Sequence, residues 1–227
     1  MIEPLDAAAL LRLLQLSSPA LPVGAYAYSH GLEAAVSAGW VHDRESAAGW
    51  ILGVAEHAIA SLELPLLARL IPAYAAGDHG QVAHWTNFLC AARESEELAR
   101  EDRHMGLALA RLLVDLGVDE AAGSRGDPNT TYVGAFALAC ARWRVPVRAA
   151  MHALAFGFCE NQVAAAIKLV PLGQTDGQRV LVAAMAEIPG WIDAAEALDD
   201  DALGPLAPGL ALASARHEQQ YSRLFRS

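Results

Sequence analysis

The sequence predicts an all-α fold, a single-domain, compact but irregular helical bundle, and three observations carry that expectation. Alanine supplies 48 of the 227 residues and leucine is plentiful beside it, and both residues favour helix. No stretch alternates apolar and polar residues, with β-branched enrichment, for long enough to make a strand. No repeat of fixed length appears, which separates the pattern from a helical solenoid. A chain of this length buries roughly 70% of its unfolded surface, so it needs no covalent staples to hold a core.

Proline and glycine divide the chain into about eight to ten helical segments. The first ends near Leu16, before a loop holding Pro19 and Pro22, and the second ends at Gly39. Asp43 is placed to cap the third. Pro65 and Pro72 are expected to break or kink the stretch that follows. Asp78 opens another helix, and the charged run 93–103 leads into Leu107, Leu109, Leu112, Leu113 and Leu116 before Gly117. The segment 123–129 is the best loop. Helices are then expected over 131–144 and 146–170, with Pro146 in a first turn. Pro171-Leu172-Gly173 closes the second of these, and Thr175 with Gln178 has capping-box spacing, making a tight corner between helices. An irregular link over 199–209 leads to the final helix. No domain boundary interrupts this order, so residues 1–227 are taken as one domain with a C-terminal docking tail at about 210–227.

Composition narrows the function. Cys90, Cys140 and Cys159 are odd in number, widely spaced and form no CxxC pair, so neither a disulfide framework nor a zinc knuckle is indicated and a reducing cytoplasm is expected. No basic stretch followed by an apolar run marks a secretory leader at the N-terminus. The most membrane-like window, 149–170, carries Glu160, Asn161 and Lys168, each costly at bilayer depth, and is expected to be a buried helix rather than a membrane contact. The formal net charge is -10, which repels phosphate backbones and excludes nucleic acid as a partner.

The catalytic motifs sought are missing. HEQQY at 217–221 resembles HExxH, but Tyr221 stands where a zinc site needs its second imidazole. There is no GxSxG elbow, phosphate loop or dinucleotide turn. Ser29-His30 is not a triad and is expected to serve at the surface or as a cap. His79 and His84, the closest histidine pair, do not share a helix face, so no metal site and no cofactor is expected. Cys159-Glu160 reads as a small buried thiol beside a polar anchor.

The final eleven residues, HEQQYSRLFRS, keep apolar and aromatic side chains to the end. As a helix they place His217, Tyr221, Leu224 and Phe225 on one stripe, with Arg216 and Arg223 on a neighbouring face. Arg216, Arg223 and Arg226 make the tail basic against an acidic chain, with Glu218 alone opposing them, a contrast suited to an acidic partner surface. The stripe either docks a partner or tethers the terminus to its own domain. Tyr26 and Tyr28, in the loop stiffened by Pro19 and Pro22, are rings of the kind favoured at interfaces, Tyr28 ahead of Tyr26.

Taken with the tail, the segments LQLSSPALPVGAYAYSHGLE (14–33), ARESEEL (92–98) with Met105-Gly106, and KLVPLGQ (168–174) occur in an order that resembles the UreF family of urease accessory proteins. Ala25 departs from the pattern, which often has a second glycine after Gly24. The resemblance implies a non-catalytic protein that dimerises and binds a second accessory protein of the UreD or UreH type. It further implies recruitment of a nickel-carrying GTPase of the UreG type and delivery of nickel to apo-urease. A chaperone holding nickel itself is the alternative, and an unassigned helical enzyme a more distant one. The candidate partner-binding residues are Arg223, Tyr221, His217, Glu218 and Arg226 of the tail, Tyr28 of the loop, and Lys168. Lys168 is the only lysine beside fifteen arginines; by itself it fits a cation near a helix C-terminus, and the resemblance adds an influence on the GTPase.

Overall fold

The alanine and leucine bias resolves into ten α-helices in the computed structural model, which describes residues 5–227, with no strand among the described residues. The helices are α1 (Ala7–Leu16), α2 (Leu32–Ser37), α3 (Arg44–Val54), α4 (Leu64–Ala76), α5 (His79–Ala91), α6 (Glu96–Asp115), α7 (Tyr132–Arg142), α8 (Val147–Leu169), α9 (Gln174–Glu196) and α10 (Pro208–His217). Short polar side chains start several of them by accepting backbone N–H groups that have no partner within the helix. Asp43 accepts from Ser46 N–H at 2.8 Å while Ser46 Oγ accepts from Asp43 N–H at 3.0 Å. Asp78, Ser95 and Thr131 cap α5, α6 and α7 in the same way.

Helix α4 lies at the centre and packs against α5, α7 and α8, while α8 packs along α9 and α6 along α7. Leu64, Leu66, Leu67 and Leu70 of α4 are fully buried, as expected of a helix that is apolar on several faces. Two close crossings depend on missing side chains. A Cβ on Gly106 of α6 would lie 2.5 Å from the Thr131 carbonyl carbon, and one on Gly177 of α9 would lie 2.6 Å from Ile167 Cδ1.

Four expectations need correction. Pro65 and Pro72 do not break their stretch: a π-helical turn, Ala55–Glu63, joins α3 to α4, and Arg44–Ala76 runs as one helix of 33 residues. Pro65 falls in the first turn after the π segment, where a missing N–H is least costly. Among the described residues this helix, rather than 149–170, is the one long and apolar enough to cross a membrane, and 67% of its apolar window is buried inside the fold. The π segment also anchors the link to α10, because the His57 and Ser61 carbonyls accept from Leu206 N–H (2.7 Å) and Gly204 N–H (3.2 Å). Third, the corner between α8 and α9 is tight, but Gly173 occupies the cap position without a side-chain bond, so Thr175 caps nothing; Pro146 likewise sits just outside α8.

The fourth correction concerns the tail. Helix α10 ends at His217, and residues 218–227 follow an irregular course of turns and bends. The predicted stripe therefore does not form: Phe225 is 6% exposed, Leu224 65% and Tyr221 fully exposed. Its carboxylate and backbone partners on α2 and α6 outcompete the internal bonds of one more helical turn.

Candidate partner-binding site

Three carboxylates on the inner faces of two helices define the site. Glu33 stands in the first turn of α2, and Glu97 and Glu101, four apart, lie one above the other on α6. All three are at most 9% exposed, and a buried charge is tolerated only when paired. The tail supplies the pairing. His217, fully buried, bridges Glu33 Oε2 at 3.1 Å and Glu97 Oε2 at 2.9 Å through its two ring nitrogens. Glu33 also accepts the backbone N–H groups of Leu224 (2.7 Å) and Phe225 (2.9 Å). Arg223 donates to Glu97 Oε1 at 2.8 Å and to the Gln220 carbonyl at 3.1 Å. Beyond it, Ser227 Oγ donates to Glu101, and the Ser227 carbonyl accepts from Ser29 N–H at 2.8 Å. The last ten residues form a strap drawn onto α2 and α6.

A second charged layer lies beneath. Arg93 donates to Glu63 Oε1 at 2.7 Å and to Asp102 Oδ2 at 2.9 Å, and Asp102 Oδ1 accepts Tyr132 N–H at 2.7 Å. Burial would weaken the Arg93 charge, but Asp102 and Glu63 outweigh burial and raise its pKa further. His30 lies 3.3 Å from Glu101. Burial alone lowers the His30 pKa; the Glu101 carboxylate, by charge and hydrogen bond, overcomes this and leaves it above its ordinary value. Burial pushes the Glu101 carboxyl up, and His30, Ser227 and Arg93 together bring it below its ordinary value. These groups and Gln162 line a cavity of about 350 Å³ whose other walls are largely apolar, among them Val133, Phe136 and Phe158. Gln162 Nε2 donates to the Ser29 carbonyl at 3.0 Å, while its Oε1 meets no protein donor among the described residues.

The predicted site residues separate by direction. His217 faces inward entirely. Glu218 accepts Glu97 N–H at 3.2 Å, so it helps to cap α6. Arg223 is partly exposed but spends its guanidinium within the chain. Tyr221 and Arg226 face outward. Lys168 is exposed, with Nζ 5.4 Å from the centre of the Phe225 ring. The two tyrosines reverse the expected order: Tyr28 is 4% exposed and its hydroxyl meets His104 Nδ1 at 3.1 Å, whereas Tyr26 is 69% exposed. Ser29 and His30 are buried rather than superficial, although Ser29 does cap, accepting Glu33 N–H at 3.2 Å. Cys159 is fully buried, and burial pushes its thiol up to about 12. Among the described residues no group of three or more His, Cys, Asp or Glu side chains is disposed to hold a metal ion.

The UreF family model matches residues 41–185 of the chain. The chain is 52% identical over 219 residues, 95% of both chains, to the urease accessory protein UreF of Alkalilimnicola ehrlichii. It is 49% identical over 218 residues to that of Teredinibacter turnerae, covering 96% of this chain and 98% of the relative. With that of Pseudomonas putida it shares 47% over 219 residues, 96% and 98% of the two chains. The chain belongs to the UreF family of urease accessory proteins.

The sequence blocks that carry the UreF resemblance are far apart in the chain and meet at the strap. Ser29 and Glu33 come from the first block, Glu97 from the second, Lys168 from the third, and His217, Arg223, Phe225 and Ser227 from the tail. Gly106 is explained by the crossing of α6 under Thr131. Ala25 needs no glycine, because Gly24 alone takes the left-handed conformation, φ 78°, and Ala25 begins a 3-10 turn. Motif reading missed Glu33, Glu97 and Glu101 as anchors. Glu33 alone carried a signal, a carboxylate among the buried apolar neighbours of Leu32-Glu33-Ala34-Ala35, where a solvated face would have placed polar residues.

Proposed function

We propose that this UreF family member is a non-catalytic scaffold in the cytoplasmic complex that delivers nickel to apo-urease. It binds a second accessory protein of the UreD or UreH type, recruits the nickel-carrying GTPase of the UreG type, and works as a homodimer. The observation that carries the reading is the convergence of the four sequence blocks on one strap: the inward groups, His217, Arg223 and Phe225, fix it, and the outward groups, Tyr221, Leu224 and Lys168, are left to meet a partner. An immobilised segment loses less conformational entropy on binding than a free one, so fixing the strap favours partner affinity. Regulation of the GTPase follows if the exposed face binds one of its nucleotide or metal states more tightly than another.

Affinity purification of the tagged chain from cells carrying a urease gene set tests this reading. The expected eluate contains the second accessory protein, the GTPase and urease subunits. An eluate with none of them, from cells whose urease is activated equally well without this chain, contradicts it.

A further inference from the structure

A second cleft, of about 330 Å³, opens between residues 23–28 of the N-terminal loop, α6 and Arg226 of the strap. Its polar lining comes from Arg111, Arg226, His104 and the hydroxyls of Tyr26 and Tyr28, over an apolar floor that includes Leu107. No aspartate or glutamate lines it. The chain carries a net charge of -10, and Arg69, Arg93, Arg142, Arg148 and Arg223 each hold a carboxylate. Among the described residues, neither Arg111 nor Arg226 contacts one. The Arg111 Nε–H is bonded to the Leu107 carbonyl at 3.1 Å, which steadies the side chain and leaves its terminal nitrogens unspent.

The side chains around the cleft, more than its backbone, indicate the kind of anion. The N–H groups of Ala27, Tyr28 and Arg226 already donate to Gly24, Ala25 and Ala27 carbonyls, at 2.9, 3.1 and 2.8 Å. The residues from His104 to Arg111 lie within α6, where each N–H serves the helix. The amides of Gly24, Ala25 and Tyr26, at the start of the 3-10 turn, have no acceptor among the described residues, so the backbone does not discriminate between carboxylate and phosphate. Recognition falls to guanidinium forks, which match carboxylates in bidentate fashion, beside an exposed Tyr26 ring and an apolar floor that suit the rest of a peptide.

We propose that this cleft receives an acidic, carboxylate-bearing segment of a protein partner. The proposal rests on the scaffold reading above for the existence of such a partner, but it concerns a different surface from the outward face of Tyr221 and Leu224.

Fluorescence anisotropy with a labelled hexaglutamate peptide and the full-length chain tests it. Arg111→Gln and Arg226→Gln are each expected to weaken binding about fivefold or more, with circular dichroism melting unchanged. Arg125→Gln, at an exposed arginine in another loop, is expected to bind as the parent does. The double variant Arg111→Gln/Arg226→Gln retaining parental affinity overturns the proposal. So does displacement of the peptide by inorganic phosphate at equal concentration, which would make the cleft a general anion site. Loss of peptide binding from the parent chain, with urease activation still dependent on Tyr221, removes the cleft and leaves the scaffold reading standing.

Discussion

Arg223 and Tyr221 exchange the roles that a helical tail would give them. On a helix Tyr221 would share the packed stripe and Arg223 could be truncated harmlessly; in the strap Arg223 holds the buried Glu97 and Tyr221 touches solvent. Arg223→Ala is therefore expected to destabilise the protein by about 1–2 kcal/mol, the range for a partly exposed hydrogen bond to a charged group. Tyr221→Ala should change stability by less than about 0.5 kcal/mol. Chemical denaturation of the two variants checks both, and equal stabilities would mean that the strap is not held through Arg223. His30 and Glu101 make a pH-dependent pair. The His30 pKa is raised above 6.5, so its contribution is fully present below that pH and is lost as pH rises through the folded value. The Glu101 pKa is lowered below 4.5, so its contribution is present above that pH and is lost as pH falls through the folded value. Both act together between about pH 4.5 and 6.5. The melting temperature of the parent should exceed that of His30→Gln most in this window, with the gap closing towards alkaline pH. A constant gap from pH 5 to 9 would show that the pair does not titrate as a unit.

At the scale of elements, the sequence was most informative where one residue type answers one backbone need. Asp43 and Asp78 start their helices as capping chemistry requires, and the corner after Val170 forms where proline and glycine end α8. It was least informative where tertiary partners compete with local preference. The prolines at 65 and 72 looked like breaks, but the π segment and the burial of α4 carry the helix through them. The tail looked helical because 3.6-residue spacing cannot register that Glu33, from α2, will accept the Leu224 and Phe225 amides. Likewise, nothing short of the fold shows Glu97 and Glu101 turned inward among the five acidic residues of 94–102. Two variants test this level. Gly106→Ala forces a methyl group against the Thr131 backbone at the α6 and α7 crossing, and should destabilise by about 1–3 kcal/mol; an unchanged melting curve would mean that the helices can separate freely. Removal of residues 221–227 strips Glu33, Glu97 and Glu101 of several partners at once. Its cost should therefore exceed that of Arg223→Ala, since each buried carboxylate left short of partners is penalised separately.

For the whole molecule, the claims to be tested are association and metal handling. Helix α1 turns Leu10, Leu11 and Leu14 outward, at 42%, 67% and 59% exposure, an apolar surface that favours self-association. Light scattering of the isolated chain should give twice the monomer mass at tens of micromolar; a persistent monomer would contradict the homodimer. Equilibrium dialysis should find no stoichiometric, tightly held nickel on the isolated chain, and retention of one ion per chain through gel filtration would move the account towards a direct carrier. The central claim is that the strap is fixed from within so that its outer face can recruit the GTPase. Its most direct test is the amount of GTPase that co-purifies with the Tyr221→Ala/Leu224→Ala variant, whose side chains are exposed and whose melting should match the parent. A drop of about tenfold or more is expected, as for a binding hot spot, with a parallel loss of urease activation; full recruitment and full activation by this variant would show that the outer face of the strap does not recruit the GTPase.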